Sequence, residues 1–231
     1  MLIAEDLLLL AYDDTTGKPD GWLTDLDTRL GAALLLELAL AGRVQVAGAG
    51  TTTAAGSAVP QGAVVVLDAS PAGHPALDRA LAVVAERPRT PKDLLGPLAK
   101  DVRDELLTGL VERRILRRES GKILGIFPTT SWPAADSSHE TALRAECEDV
   151  LLGRRDPRPE TAALLSLVAG TALVKQLVPA EHRKQAEARA KELAEESWAH
   201  DAVKKAVDEI NAVLLTTIIL PAIITPTILS S

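Results

Sequence analysis

The chain opens on an apolar run over residues 2–12, interrupted only by Glu5, Asp6 and the closing Tyr12, which predicts a short helix. Turn-forming residues then fill positions 13–21. Thr24, with Asp27 three residues on, forms a capping-box-like start. The helix it opens runs to Ala41 and stops at Gly42, a natural residue for the position just past a helix end. Its apolar positions (Leu30, Ala33, Leu34, Leu36, Leu38, Leu40) lie nearly all round the axis, so the helix is expected to be central and buried. Glu37, inside it, reads as a buried acid paired with an arginine or with helix N–H groups. Alternation over 43–46 and the run 63–67 predict two short strands across a flexible, small-residue stretch.

The second half reads as helices around one hairpin. Residues 75–86 are helical in pattern. Thr90, Pro91 and Asp93 supply a cap, a first-turn proline and an acid for the next helix. Residues 102–115 form an amphipathic helix with Val102, Leu106, Leu110 and Val111 as its buried stripe. A hairpin over 115–127 is expected around Ser120-Gly121. Ser137 with Glu140 starts a helix to about Leu152, and Asp156-Pro157-Arg158-Pro159 is a hinge. Long helices are expected over 160–178 and 179–200, with another from 202. The chain is read as one mainly α domain over 1–231, a helical bundle with surrounding amphipathic helices and a small β-hairpin.

Composition strengthens the helical reading. Alanine and leucine each occur 37 times in 231 residues, and aromatics make up 2%. Those are the best helix formers, and β-rich domains use more aromatic and β-branched residues. Cys147 is the single cysteine, which excludes an internal disulfide framework or a cysteine zinc cluster; it reads as a buried structural thiol. Four scattered histidines show no metal-ligand spacing, and no phosphate loop, dinucleotide fingerprint or nucleophile elbow is present. Neither enzyme activity, a metal nor a cofactor is expected.

The N-terminus carries acids where a secretory signal would carry bases, and residues 30–40 are interrupted by Glu37. Residues 212–231 contain no charge and are long enough to span a bilayer. Pro221, Pro226 and four threonines break and dilute them, so a packed last helix with an extended tail is expected. The expected location is cytoplasmic.

Charge changes the picture at one place. The whole chain has a formal charge of −7, yet residues 110–127 hold five bases (Arg113, Arg114, Arg117, Arg118, Lys122) against Glu112 and Glu119, a local +3 that leaves −10 elsewhere. This run leads into Ile123-Leu124-Gly125-Ile126-Phe127. Basic residues flanking an apolar hairpin suit an anionic membrane surface, where each Lys or Arg contributes about 1 kcal/mol. The same residues also fit a core hairpin with a solvated basic face. A third reading is a winged-helix unit over 90–127, with Lys100, Arg103, Arg113 and Arg114 on phosphates. Asp101, Asp104, Glu105 and Glu112 on the same helix oppose it, and nucleic acid is not expected as a partner.

Several segments together resemble the Golgi phosphoprotein 3 family. They are Leu2-Ile3-Ala4-Glu5-Asp6-Leu7-Leu8-Leu9-Leu10, Gly21-Trp22, the stretch Leu34-Leu35-Leu36-Glu37-Leu38-Ala39-Leu40-Ala41-Gly42-Arg43, Val102-Arg103-Asp104-Glu105-Leu106, Leu110-Val111-Glu112-Arg113 and Phe127-Pro128-Thr129-Thr130. The residue usage looks like that of a bacterial, high-GC, actinobacterial-type member. The resemblance implies a helix bundle encased by amphipathic helices, no catalysis, and a basic pocket for a phosphatidylinositol 4-phosphate-like headgroup beside a hydrophobic hairpin. It implies a peripheral, lipid-binding membrane adaptor on the cytoplasmic face, with the cytosolic tails of membrane enzymes as protein partners. Trp22 falls at the pocket tryptophan, Lys100 and Arg103 at a pair of pocket arginines, and Ile123, Leu124, Ile126 and Phe127 on the hairpin. Arg113, Arg114, Arg117, Arg118 and Lys122 add diffuse attraction. A third pocket arginine is replaced by Gly31, and Arg29, two positions earlier, is expected to point elsewhere. The alternative function is a soluble protein–protein module without lipid binding.

Overall fold

The computed structural model describes residues 1–19, 25–52, 56, 58–123, 127–199 and 201–221. Among these, ten α-helices surround one buried apolar cluster to which every helix contributes. Helix α1 (Ile3–Leu10) and helix α2 (Leu26–Leu40) form its centre. As its all-round apolar pattern predicts, α2 is buried on every side, packed by α1 and, further along the chain, by α3 (Pro75–Glu86), α4 (Pro91–Ala99), α5 (Val102–Glu112), α7 (Pro159–Val168) and α10 (Asp201–Leu214). It ends at Gly42, whose φ of +65° suits glycine, and the Arg43 N–H closes back on the Leu38 carbonyl.

Glu37 is held as its position implies. Its carboxylate accepts the Ile3 N–H at 2.7 Å, so it satisfies an otherwise orphaned donor at the start of α1. Burial pushes its carboxyl above the usual range.

Strands β1 (Val44–Val46) and β2 (Val64–Val66) pair antiparallel, Val44 opposite Val66, at the positions expected. The α4 start is also as expected: the Thr90 side chain accepts the Asp93 N–H, and Pro91 opens the helix. The buried face of α5 is Val102, Leu106, Leu107 and Leu110, with Leu107 replacing the expected Val111, which is half-buried.

Five boundaries differ from expectation. Helix α5, expected to run to Ile115, ends at Glu112, and Arg114 turns left-handed at φ +61° just beyond it. Thr24 lies outside the described residues, and α2 begins after Asp25. The helix expected over 160–178 is two, α7 and α8 (Ala172–Gln176), because Gly170 turns left-handed at φ +77° and releases the helical path. The next helix, expected over 179–200, starts as a 3₁₀ turn at Ala180–His182, continues as α9 (Arg183–Glu195) and stops at an extended Glu196; His200 lies outside the described residues. The hairpin is displaced too. Strands β3 (Glu119–Ile123) and β4 (Phe127–Ser131) pair antiparallel with Ile123 opposite Phe127. Ser120 and Gly121 therefore lie inside β3, opposite Thr130 and Thr129, and the connection falls at 124–126, outside the described residues.

Helix α6 (Ser138–Leu151) begins after Ser137, but the cap is made one residue earlier, where Asp136 Oδ1 accepts the Ser138 N–H at 2.9 Å. Cys147, within α6, is fully buried, and burial pushes its thiol up to about 12. At the other end, α10 runs into a π-helical turn at Leu215–Ile219 that puts Ile218 and Ile219 in the core beside Leu214. Residues up to 219 of the uncharged tail thus pack on their own domain; 222–231 lie outside the described residues. No described helix is long and apolar enough to cross a membrane.

Candidate functional site: an acid–base cavity beside a β-ribbon

Helix α4 ends at Ala99, and Asp101 turns the chain into α5 in a left-handed conformation, φ +57°. A non-glycine residue pays strain there, a cost that persists mainly where surrounding structure enforces it. The turn places Lys100 on the surface and Arg103 over the first turn of α2. Arg103 Nε donates to Asp27 Oδ1 at 2.7 Å, and its guanidinium lies beside the Tyr12 hydroxyl, whose pKa burial raises. Asp27, Ala99, Asp101, Val102, Arg103 and Asp104 line a cavity of about 270 Å³ there. Its size is near the lower limit of small-molecule sites.

The cavity is not simply basic. Asp27, Asp101 and Asp104 oppose Arg103 and the adjacent Lys100, three acids against two bases. A neighbouring cleft of about 760 Å³ runs along α5 and adds Glu105 and Glu112 to the same two aspartates, with His74 and Arg113 on its rim. This acidic face of α5 opposes the winged-helix reading, since a DNA backbone would meet a row of carboxylates.

The two arginine positions on α2 separate cleanly. Arg29 is 1% exposed; its Nε donates to Asp25 at 2.9 Å and its terminal nitrogen to the Leu167 carbonyl. As expected it points away from the cavity, tying α2 to α7. Gly31 instead faces the end of α4: a Cβ there would lie 2.9 Å from the Ala99 nitrogen and 3.1 Å from Leu98 Cβ. The missing side chain is what lets α2 and α4 approach closely. Gly31→Ala is expected to destabilise the fold by about 1 kcal/mol, as mild overpacking does, read as a lower denaturant midpoint; an unchanged midpoint contradicts the close approach.

Tyr12 connects the cavity to the β3–β4 ribbon. It opens a tight loop in which Asp13 accepts the Thr15 and Thr16 N–H groups and pairs with Lys18 along the backbone. The Gly17 carbonyl accepts the Trp132 N–H, and the Asp14 carbonyl accepts the Ala134 N–H. The loop is thus bonded to the foot of the ribbon, while Tyr12 at its start adjoins Arg103. Trp22, after this loop, lies outside the described residues. Among the described residues the two strands pair chiefly with each other.

The auxiliary bases divide into separate roles. Arg113 donates to Glu5, a fully buried carboxylate in α1 that also accepts the Leu2 N–H at 3.0 Å and meets His74 Nε2 at 3.0 Å. It is a structural partner more than a surface charge. Arg117 lies 3.7 Å from Glu119, both exposed. Arg118 stacks over Trp132, 5.4 Å from the ring centroid. Arg114, left-handed at φ +61°, is exposed and has no ion-pair partner among the described residues. Lys122, Ile123 and Phe127 are placed in the strands, their side chains undescribed; Leu124 and Ile126 lie outside the described residues.

Glu140, expected from the sequence to share a helix start with Ser137, is instead a buried acid facing the 13–19 loop. Glu140, 4% exposed, accepts from Arg144 Nε at 2.6 Å and faces Asp14. Burial, then the hydrogen bond shared with Asp14, raise its carboxyl from 4.5 to about 7. A raised acid pKa stabilises the fold fully below about pH 4.5, and that stabilisation is lost as pH rises through about 7. Glu140→Gln, which mimics the protonated form, is expected to flatten the fall in stability between about pH 4.5 and 7 in denaturant melts. An unaltered fall contradicts the assignment.

The family model for Golgi phosphoprotein 3 (GPP34) matches residues 3–210. The chain belongs to the Golgi phosphoprotein 3 family. That match spans α1 through most of α10, including the cavity, the loop and the ribbon.

Proposed function

We propose that this protein is a peripheral membrane-binding adaptor that engages a phosphate-bearing, anionic phospholipid surface. The observation that carries the reading is the ribbon. Its described ends, Ile123 and Phe127, bracket an apolar connection, and Arg114, Arg117 and Arg118 gather at its foot. The 13–19 loop links that foot to the cavity lined by Arg103, and Arg103 with the exposed Lys100 nearby in the chain supplies charge for a phosphate. Apolar insertion plus basic attraction is the combination that holds a protein on an anionic bilayer without a spanning helix. Trp22 is assigned to the cavity wall, and the phosphoinositide-like headgroup of the family is the model ligand. A protein–protein module without lipid binding is the second reading, favoured by the Arg103–Asp27 pair, which already offsets one of the two cations.

Vesicle flotation tests the proposal. The wild-type protein is expected to float with vesicles containing anionic phospholipid and to stay behind with uncharged ones. The Lys100→Glu, Arg103→Glu double variant, confirmed folded by circular dichroism, is expected to lose flotation. Flotation that ignores anionic lipid content overturns the headgroup role, and no flotation with a stable protein partner supports the second reading.

A further inference from the structure

We infer that a single proton shared by Glu140 and Asp14 latches the 13–19 loop onto α6, so that the protein binds an anionic membrane more tightly as the solution is acidified. This rests on the membrane reading above and adds its regulation. The contact between the two carboxyl groups carries it. Glu140, 4% exposed in the first turn of α6, shares a hydrogen bond with the side chain of Asp14. Ionised carboxylates only accept, so this bond requires one of the pair to keep its proton. Arg144, on the same helix, faces the pair with its Nε 2.6 Å from Glu140 Oε1. From α1, Asp6 approaches this end of α6 but meets His139, whose Nε2 lies 2.7 Å from Asp6 Oδ1. In the loop, Asp13 is taken up by the Thr15 and Thr16 N–H groups. Helix α9 also packs on α6, and its Gln185 donates to the Leu152 carbonyl at the far end.

Ionising both carboxyls turns the shared bond into a contact between two negative charges, one of them on a buried side chain. The loop is the part that yields. The segment that joins β4 to α6 is fixed from below, because the Ile115 carbonyl accepts the Ala135 and Asp136 N–H groups at 2.9 and 3.2 Å. The loop holds that segment through the very residue that repels Glu140: the Asp14 carbonyl accepts the Ala134 N–H at 2.9 Å, beside the Gly17–Trp132 bond at 2.8 Å. Since the loop relates the ribbon to the Arg103 cavity, loss of the latch uncouples the two membrane contacts. An anionic surface concentrates protons as it does other cations, so the membrane itself favours the latched form.

The test measures binding of the full chain to vesicles of phosphatidylglycerol and phosphatidylcholine at pH 6 and pH 8, a range over which the lipid phosphates keep their charge. With the Glu140 carboxyl raised to about 7, roughly a tenth of the protein is latched at pH 8, so the apparent affinity is expected to fall about tenfold from its value at pH 6. Glu140→Gln supplies amide N–H groups for Asp14 and an oxygen for Arg144 without a proton to lose. Confirmed folded by circular dichroism, it is expected to bind equally at both pH values, and Asp14→Asn likewise. His139→Gln removes the neighbouring imidazole and is expected to keep the tenfold change. A pH dependence that survives in Glu140→Gln, or that disappears in His139→Gln, overturns the inference. Equal wild-type binding at pH 6 and pH 8 also overturns it and leaves the membrane reading standing. Binding at neither pH overturns both.

Discussion

Arg113→Ala is expected to lower stability by about 3 kcal/mol, near the lower end for removing one partner of a buried ion pair. Glu5 is the reason. Its carboxylate is fully buried in the first turn of α1, where Leu2 N–H, His74 and Arg113 surround it. Removing the guanidinium leaves a buried negative charge with one backbone donor and a histidine. The remaining partners soften the loss, as does the 40% exposure of the Arg113 side chain. For a chain of this length the melting temperature should fall by about 6–12 °C. Arg114→Ala, one residue on and without an ion-pair partner among the described residues, should change it little. Equal melting temperatures for the two variants would assign Arg113 to the surface charge of the ribbon instead of to the core.

Gly17→Ala carries the second large effect. Gly17 is buried at φ +61°, and a Cβ there would lie 2.2 Å from the Pro133 nitrogen and 2.3 Å from the Trp132 nitrogen. Both are backbone atoms, so no rotamer change relieves the clash. The substitution combines a disfavoured backbone conformation with overpacking, for a loss of about 3 kcal/mol. The strain falls on the Gly17–Trp132 and Asp14–Ala134 hydrogen bonds that hold the loop to the ribbon's foot. Tryptophan emission should therefore shift together with the lowered melting temperature, because Trp132 and its Arg118 stack sit at that seam. A lowered melting temperature with unchanged emission would place the damage elsewhere. The same variant is expected to weaken vesicle binding, since this loop is what relates the ribbon to the Arg103 cavity.

What the sequence revealed follows the range of the interactions. Helix α2 was legible as the central helix because apolar residues surround its axis, and the Thr90 cap and Gly42 stop are local signals with local causes. The ribbon's connection was not. Ser120-Gly121 is a turn signal by composition, yet pairing against Thr129 and Thr130 keeps both inside a strand. Gly170 was read through because apolar residues continue on either side of it. The cavity was half legible. Lys100 and Arg103 stood out as bases, but Asp27 is 76 residues from Arg103 and nothing local joins them. Likewise, Glu5 finds His74 and Arg113 at separations of 69 and 108 residues. An acid in the first turn of an otherwise apolar helix was the available clue, because a buried carboxylate requires partners.

The central claim is that the tip of the ribbon enters the bilayer under the control of the Lys100–Arg103 site. Cys147 makes a direct test possible, since its buried thiol, pushed up to about 12, leaves it unreactive to a surface label. A Phe127→Cys variant can therefore carry one environment-sensitive fluorophore at the tip. On adding vesicles rich in anionic phospholipid, its emission is expected to shift to the blue, and Lys100→Glu with Arg103→Glu is expected to abolish the shift. Emission that stays at the aqueous wavelength while the protein floats with the vesicles would contradict insertion of the ribbon.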